Sequence, residues 1–124
     1  MNLSRSHIIV FRTSLVAALT AITFLAITPL DYPIASNIND KLNHILAFFV
    51  LAILADFSFP ENKFNLSKIL PLLTYGILIE MIQRYLPYRM FSLLDVAADA
   101  IGLLLYWFSL PVFRRVFKTP SNDE

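Results

Sequence analysis

Four long stretches of nearly uninterrupted apolar residues, each bounded by charge or proline, organise this chain. The first covers about residues 8–28 and stops at Pro29. The second covers about residues 42–59, between Asp40-Lys41 and Pro60, and the third and fourth about residues 66–86 and 91–113. A hydrocarbon layer about 30 Å thick takes roughly 20 helical residues to cross. Only a helix or a closed barrel satisfies every backbone N–H and C=O inside lipid. The pattern therefore predicts an all-α integral membrane protein with four transmembrane helices. Pro71 falls in the first turn of the third stretch as drawn, where an early N–H has no intrahelical partner to lose.

The connections implied by these boundaries are about a dozen, six and four residues long. Connections that short make sequential helices antiparallel neighbours, so residues 1–124 are expected to form one domain, an antiparallel bundle. Lys and Arg set the orientation, because cytoplasmic loops retain positive charge. With the N-terminus inside, that side holds Arg5, Arg12, Lys63, Lys68, Arg114, Arg115 and Lys118, against Lys41, Arg84 and Arg89 on the other. Both termini are therefore expected in the cytoplasm, the Arg114-Arg115-Lys118 tail acting as a stop attracted to anionic lipid. Arg5 and Arg12 ahead of an apolar run also suit a secretory signal. No small-x-small cleavage pattern precedes Pro29, so the segment is expected to stay as an anchor.

Composition sharpens the picture in three ways. A chain of 124 residues that is 57% hydrophobic and 15% charged is too apolar for a soluble domain. A formal net charge of +1 supplies no field for nucleic acid, which is not an expected partner. The absence of cysteine removes disulfides, thiolate metal sites and a thiol nucleophile.

Charged groups at membrane depth are costly, and they usually face a bundle interior and mark function. Asp40, Lys41 and His44 open the second stretch, with Asp40 and His44 one turn apart on one face. Glu80 and Gln83 share a face near the end of the third, with Gly76 a turn earlier. Asp95 and Asp99 share a face at the start of the fourth, with Gly102 beside Asp99. In the expected topology all of these meet in one layer on the outer side, joined by Arg84 and Arg89 from the loop. The inner half offers Asp56 near a helix end and hydroxyls such as Thr20, Thr23 and Thr74. That one-sidedness argues against a transport path, which needs polar stations across the whole thickness. Tyr32, Tyr85 and Tyr88 read as interfacial anchors.

Each residue also has a purely structural reading. Asp40 suits the N-cap of the second helix, and Ser92 with Asp95 fits a capping box on the fourth. Asp99 and Glu80 lie too deep for capping. Their structural reading is a buried ion pair with Arg89, Arg84 or Lys41 that fixes helix register. His44 suits either a hydrogen bond to a neighbouring helix or an acid, base or ligand role. His44, Glu80, Asp95 and Asp99 carry donors for a divalent cation, but no HExxH or similar spacing appears, so neither a metal nor a cofactor is assigned. Nor is there a Ser-His-Asp order or a Gly-rich phosphate loop.

Asp-Lys-Leu-Asn-His at 40–44 followed by Phe48 and Leu51, Tyr-Gly-Ile-Leu-Ile-Glu-Met-Ile-Gln at 75–83, and Arg-Met-Phe-Ser-Leu-Leu-Asp at 89–95 occur in that order on successive helices. Taken together, this resembles the VanZ-like family of small bacterial membrane proteins. The resemblance implies a multi-pass protein of the bacterial cytoplasmic (inner) membrane serving the cell envelope, linked in the founding case to reduced susceptibility to teicoplanin-type antibiotics. The family's recurring positions map onto Lys41, His44, Glu80, Gln83, Arg89, Asp95 and Asp99. Two positions depart from it. Asp99 stands where asparagine is frequent, and Tyr106 replaces a second small glycine after Gly102, which predicts a looser crossing by the fourth helix.

Three functional readings follow. In the first, the outer cluster binds a lipid headgroup or cell-wall-linked molecule, with Lys41, Gln83, Arg89 and Asp95 as ligand-binding residues. In the second, the protein is an enzyme on a lipid-linked substrate, with Glu80 or Asp99 as base and His44 as acid or base. In the third it is a structural subunit, paired with a membrane-protein partner or with a second copy of itself.

Overall fold

The computed structural model describes residues 4–28, 37–86 and 93–117, without the side chains of 37–40 and 113–117. It holds four helices: α1 (Arg5–Ile27), α2 (Asn37–Ser58), α3 (Leu66–Arg84) and α4 (Leu93–Phe117). All four are long and apolar enough to cross a membrane. At 1.5 Å per residue, the 23 residues of α1 span about 35 Å.

Local chemistry moves several boundaries from those expected. α1 starts earlier because Ser4 caps it, its hydroxyl accepting from the His7 N–H at 3.2 Å. α2 begins at Asn37, about a turn ahead of the apolar run that marked it. Asp40 therefore lies inside the helix and is not its N-cap. Asn65 caps α3 by accepting from the Ser67 N–H at 3.0 Å. α3 starts at Leu66 as expected, and five residues on Pro71 falls in its second turn, not the first. α4 continues through Pro111 to Phe117.

The buried positions form seams at helical spacing. On α2 they are Phe48, Leu51, Ala52 and Ala55; on α4, Ala98, Leu103, Tyr106 and Leu110; on α3, Ile69, Leu72 and Ile79. α2 packs most extensively on α4, although they are not consecutive. Gly102 is the reason: a Cβ there would lie 2.3 Å from the Ile45 carbonyl oxygen and 3.1 Å from the Phe49 nitrogen. The two backbones touch where the side chain is missing, the small-residue crossing common between membrane helices. Lys41 faces Asp95, Ile45 faces Gly102 and Phe49 faces Tyr106, so α2 and α4 advance in the same direction. The short connections had pointed only to neighbours in sequence.

Tyr106 does not loosen this crossing. It is 1% exposed, packs edge-on to Phe49 and Phe64, and donates to Asp56 Oδ2 at 2.7 Å.

α1 lies at the periphery with no fully buried residue. Polar clasps hold it: Arg12 Nε donates to the Ser58 carbonyl at 2.8 Å, Tyr75 donates to the Leu19 carbonyl at 2.9 Å, and Gln83 donates to the Ala26 carbonyl at 3.0 Å. In lipid, where apolar burial drives association weakly, such clasps and close packing carry the contact.

Candidate functional site

Three helices bring five polar side chains together at one end of the bundle. The N-terminal halves of α2 and α4 supply Lys41, His44, Asp95 and Asp99, and the last part of α3 supplies Glu80. The i, i+4 spacing of Asp95 and Asp99 turns both carboxylates toward α2, where Lys41 and His44 stand on the facing turn. Lys41 Nζ donates to Asp95 Oδ1. His44 Nδ1 lies 2.8 Å from Asp99 Oδ1, and His44 Nε2 lies 3.7 Å from Asp95 Oδ2. Glu80 closes the group from α3: one oxygen each from Glu80 and Asp95 and one nitrogen of His44 fall within 4.8 Å of one another.

Burial divides the cluster into a floor and a rim. Glu80 and Asp99 are each 1% exposed and Asp95 is 6% exposed. The side chains of His44 and Lys41 retain 24% and 26% exposure. Carboxylates therefore form the floor, and the imidazole and ammonium form the rim that an incoming group meets first. Gly76 shapes the floor, since a Cβ there would lie 2.6 Å from Asp99 Oδ2 and 3.0 Å from the Phe48 ring. The glycine makes room for a carboxylate, where its spacing had suggested only a closer helix.

Of the residues singled out from the sequence, Lys41, His44, Glu80, Asp95 and Asp99 converge. Lys41, expected to pair with Glu80 or Asp99, pairs with Asp95 instead, and Asp99 meets His44. Gln83 takes a different role, its amide tying α3 to α1 through the Ala26 carbonyl. Arg89 lies outside the described residues, as do Ser92 and the side chain of Asp40.

The opposite end of the bundle corrects the expectation of one-sided ionisable chemistry. Lys68, counted in the sequence as a loop-side charge, is 8% exposed. Its ammonium donates to Asp56 Oδ1 at 2.7 Å and to the carbonyls of Asp56, Phe59 and Asn62 at 3.2, 2.9 and 2.8 Å. It thus satisfies a carbonyl in the last turn of α2 and two in the loop just beyond it. Tyr106 completes this group through the other Asp56 oxygen. Twelve residues along α2, about 18 Å, separate His44 from Asp56, with Phe48, Leu51, Ala52 and Leu103 buried between them. The acceptors of the Lys68 group lie on the last turn of α2 and on the loop that follows it, which marks the group as a structural lock.

The chain matches no family model, no curated protein and no solved structure. The polar end of the bundle thus carries the functional argument on its own geometry.

Proposed function

We propose that this is a VanZ-like protein of the bacterial cytoplasmic membrane, an antiparallel up-down-up-down chain with both termini in the cytoplasm. Its polar cluster opens to the outer side and binds the head of a membrane lipid or of a lipid-linked cell-wall molecule. The observation that carries this reading is the division of the cluster. A partly open ammonium and imidazole suit an anionic phosphate, and the buried carboxylates below suit the hydroxyl or amino groups of the same head. Arg89, from the adjoining loop, adds a second cation for that phosphate. Burying three acids at membrane depth is expensive for mere helix pairing, which a single pair achieves at the other end.

Native mass spectrometry of the detergent-purified chain tests this. A retained phospholipid or lipid-linked adduct is expected, with affinity at least about tenfold weaker in Lys41→Met and His44→Ala at unchanged helix content, the loss of one charge-assisted contact. Equal adduct levels across the three proteins would overturn the reading. In cells, the resemblance leads us to expect that expression lowers teicoplanin susceptibility and that His44→Ala does not.

One observation favours a second reading, an enzyme on a lipid-linked envelope substrate. The 2.8 Å contact from Asp99 to His44 Nδ1 fixes the ring and directs Nε2 toward Asp95. An imidazole oriented by a carboxylate is the usual form of a general base.

A further inference from the structure

We infer that His44, Glu80 and Asp95 form a binding site for one divalent transition-metal ion of the zinc class. Four observations carry this, and none depends on which lipid head the cluster receives.

The first is burial. Glu80 and Asp95, 1% and 6% exposed, set two carboxylates beside the imidazole in a layer largely closed to solvent, where a bound cation replaces the solvation those oxygens have lost. The second is spacing. Ligand atoms of one ion at about 2.0–2.2 Å stand roughly 3.3–3.7 Å apart in tetrahedral or slightly open geometry. His44 Nε2 and Asp95 Oδ2 lie 3.7 Å apart, which is long for a hydrogen bond and apt for two ligands. Glu80 brings an oxygen within 4.8 Å of a ring nitrogen of His44 and a carboxylate oxygen of Asp95, close enough for a rotamer adjustment to complete the set.

The third observation is the far side of the ring. Asp99 holds His44 Nδ1 at 2.8 Å, the carboxylate–histidine arrangement that fixes the tautomer of a metal-binding imidazole and raises its basicity. Lys41 similarly occupies Asp95 Oδ1 and leaves Oδ2 on the His44 side. The fourth is donor type. One imidazole with two carboxylates is too poor in oxygen for calcium, which takes six to eight oxygens, and imidazole favours zinc-class ions over magnesium. Three protein ligands also leave a fourth position for an oxygen from outside, such as water or a phosphate.

Sequence motifs do not reveal such a site, because its ligands come from three helices and lie far apart in the chain. The test uses the tag-free full-length chain in detergent, stripped of metal and lipid, then titrated with Zn²⁺ or Mg²⁺ alone. Calorimetry and metal analysis should give one equivalent of zinc, no saturable magnesium binding at the same concentrations, and a thermal transition that rises with zinc. Glu80→Gln should lose that equivalent, Asp99→Asn should weaken it by about 10- to 100-fold, and Tyr106→Phe, at the other end of the bundle, should retain it. Absence of saturable zinc binding to the folded wild-type chain would overturn the assignment, whatever the variants do. So would an equivalent of zinc that persists in Glu80→Gln. Because lipid is absent, neither result bears on headgroup binding.

Discussion

Tyr106→Phe removes one hydroxyl that donates to Asp56 and leaves the ring packing on Phe49 and Phe64 intact. Hydrogen bonds between membrane helices average about 0.6 kcal/mol, and that loss is expected in an unfolding titration. Lys68→Met is a different case, since it removes the ammonium from a largely buried carboxylate and from three carbonyls at the end of α2 and in the loop after it. Breaking a buried pair by removing one partner costs about 3–5 kcal/mol. Adding Asp56→Asn should recover part of it, because the amide still accepts from Tyr106 and no longer carries charge. A double-mutant cycle measures the coupling, and strict additivity would show that the two residues do not act as a pair. The two glycines separate in the same way. A Cβ at Gly102 meets backbone and at Gly76 meets a movable carboxylate. Gly102→Ala should therefore cost about 1–3 kcal/mol of stability. Gly76→Ala should keep most of the stability and weaken whatever the cluster binds, by displacing Asp99 from His44.

At the scale of the helices, the sequence made legible what lies along one element and left obscure what lies between elements. Apolar runs ending in charge or proline located all four helices, and i, i+4 spacing placed Asp95 with Asp99 on one face. Membership of the cluster followed for Lys41, His44, Glu80, Asp95 and Asp99, since each had to sit near the same helix ends. Pairing did not follow. Nothing in the chain announces that α2 lies directly on α4, because Gly102 states only that something approaches closely, and the short connections favour α3 as the partner. Lys68 was hidden for a related reason: a lysine in the first turn of a helix reads as interfacial until the neighbouring helix end that it caps is in place. Gln83 likewise looks like a site residue by position and is used as a clasp to α1. Polar residues at membrane depth thus divide between binding and bundle assembly, and only cross-helix distances tell them apart.

For the molecule as a whole, the two polar ends differ in kind. One is closed, with Lys68, Asp56 and Tyr106 spent on one another and on a helix end. The other keeps a partly open rim over buried acids. The proposed orientation places the closed end in the cytoplasm and the open one outside. Because the chain has no native cysteine, single replacements report sidedness directly. Tyr85→Cys in intact cells should react with a membrane-impermeant maleimide, and Asn62→Cys should react only after permeabilisation. The reverse pattern would invert the topology and put the cluster on the cytoplasmic side.

The most direct test of the central claim, that the α2–α3–α4 cluster is a binding centre, is a high-resolution structure of the chain in a lipid bilayer. The density between Lys41, His44, Glu80 and Asp99 decides it. Density for an ion, a headgroup or both is expected, held over the buried acids and open to one face of the membrane. Closed contacts between Lys41 and Asp95 and between His44 and Asp99, with no cavity and nothing bound, would contradict it and make the cluster a second structural lock.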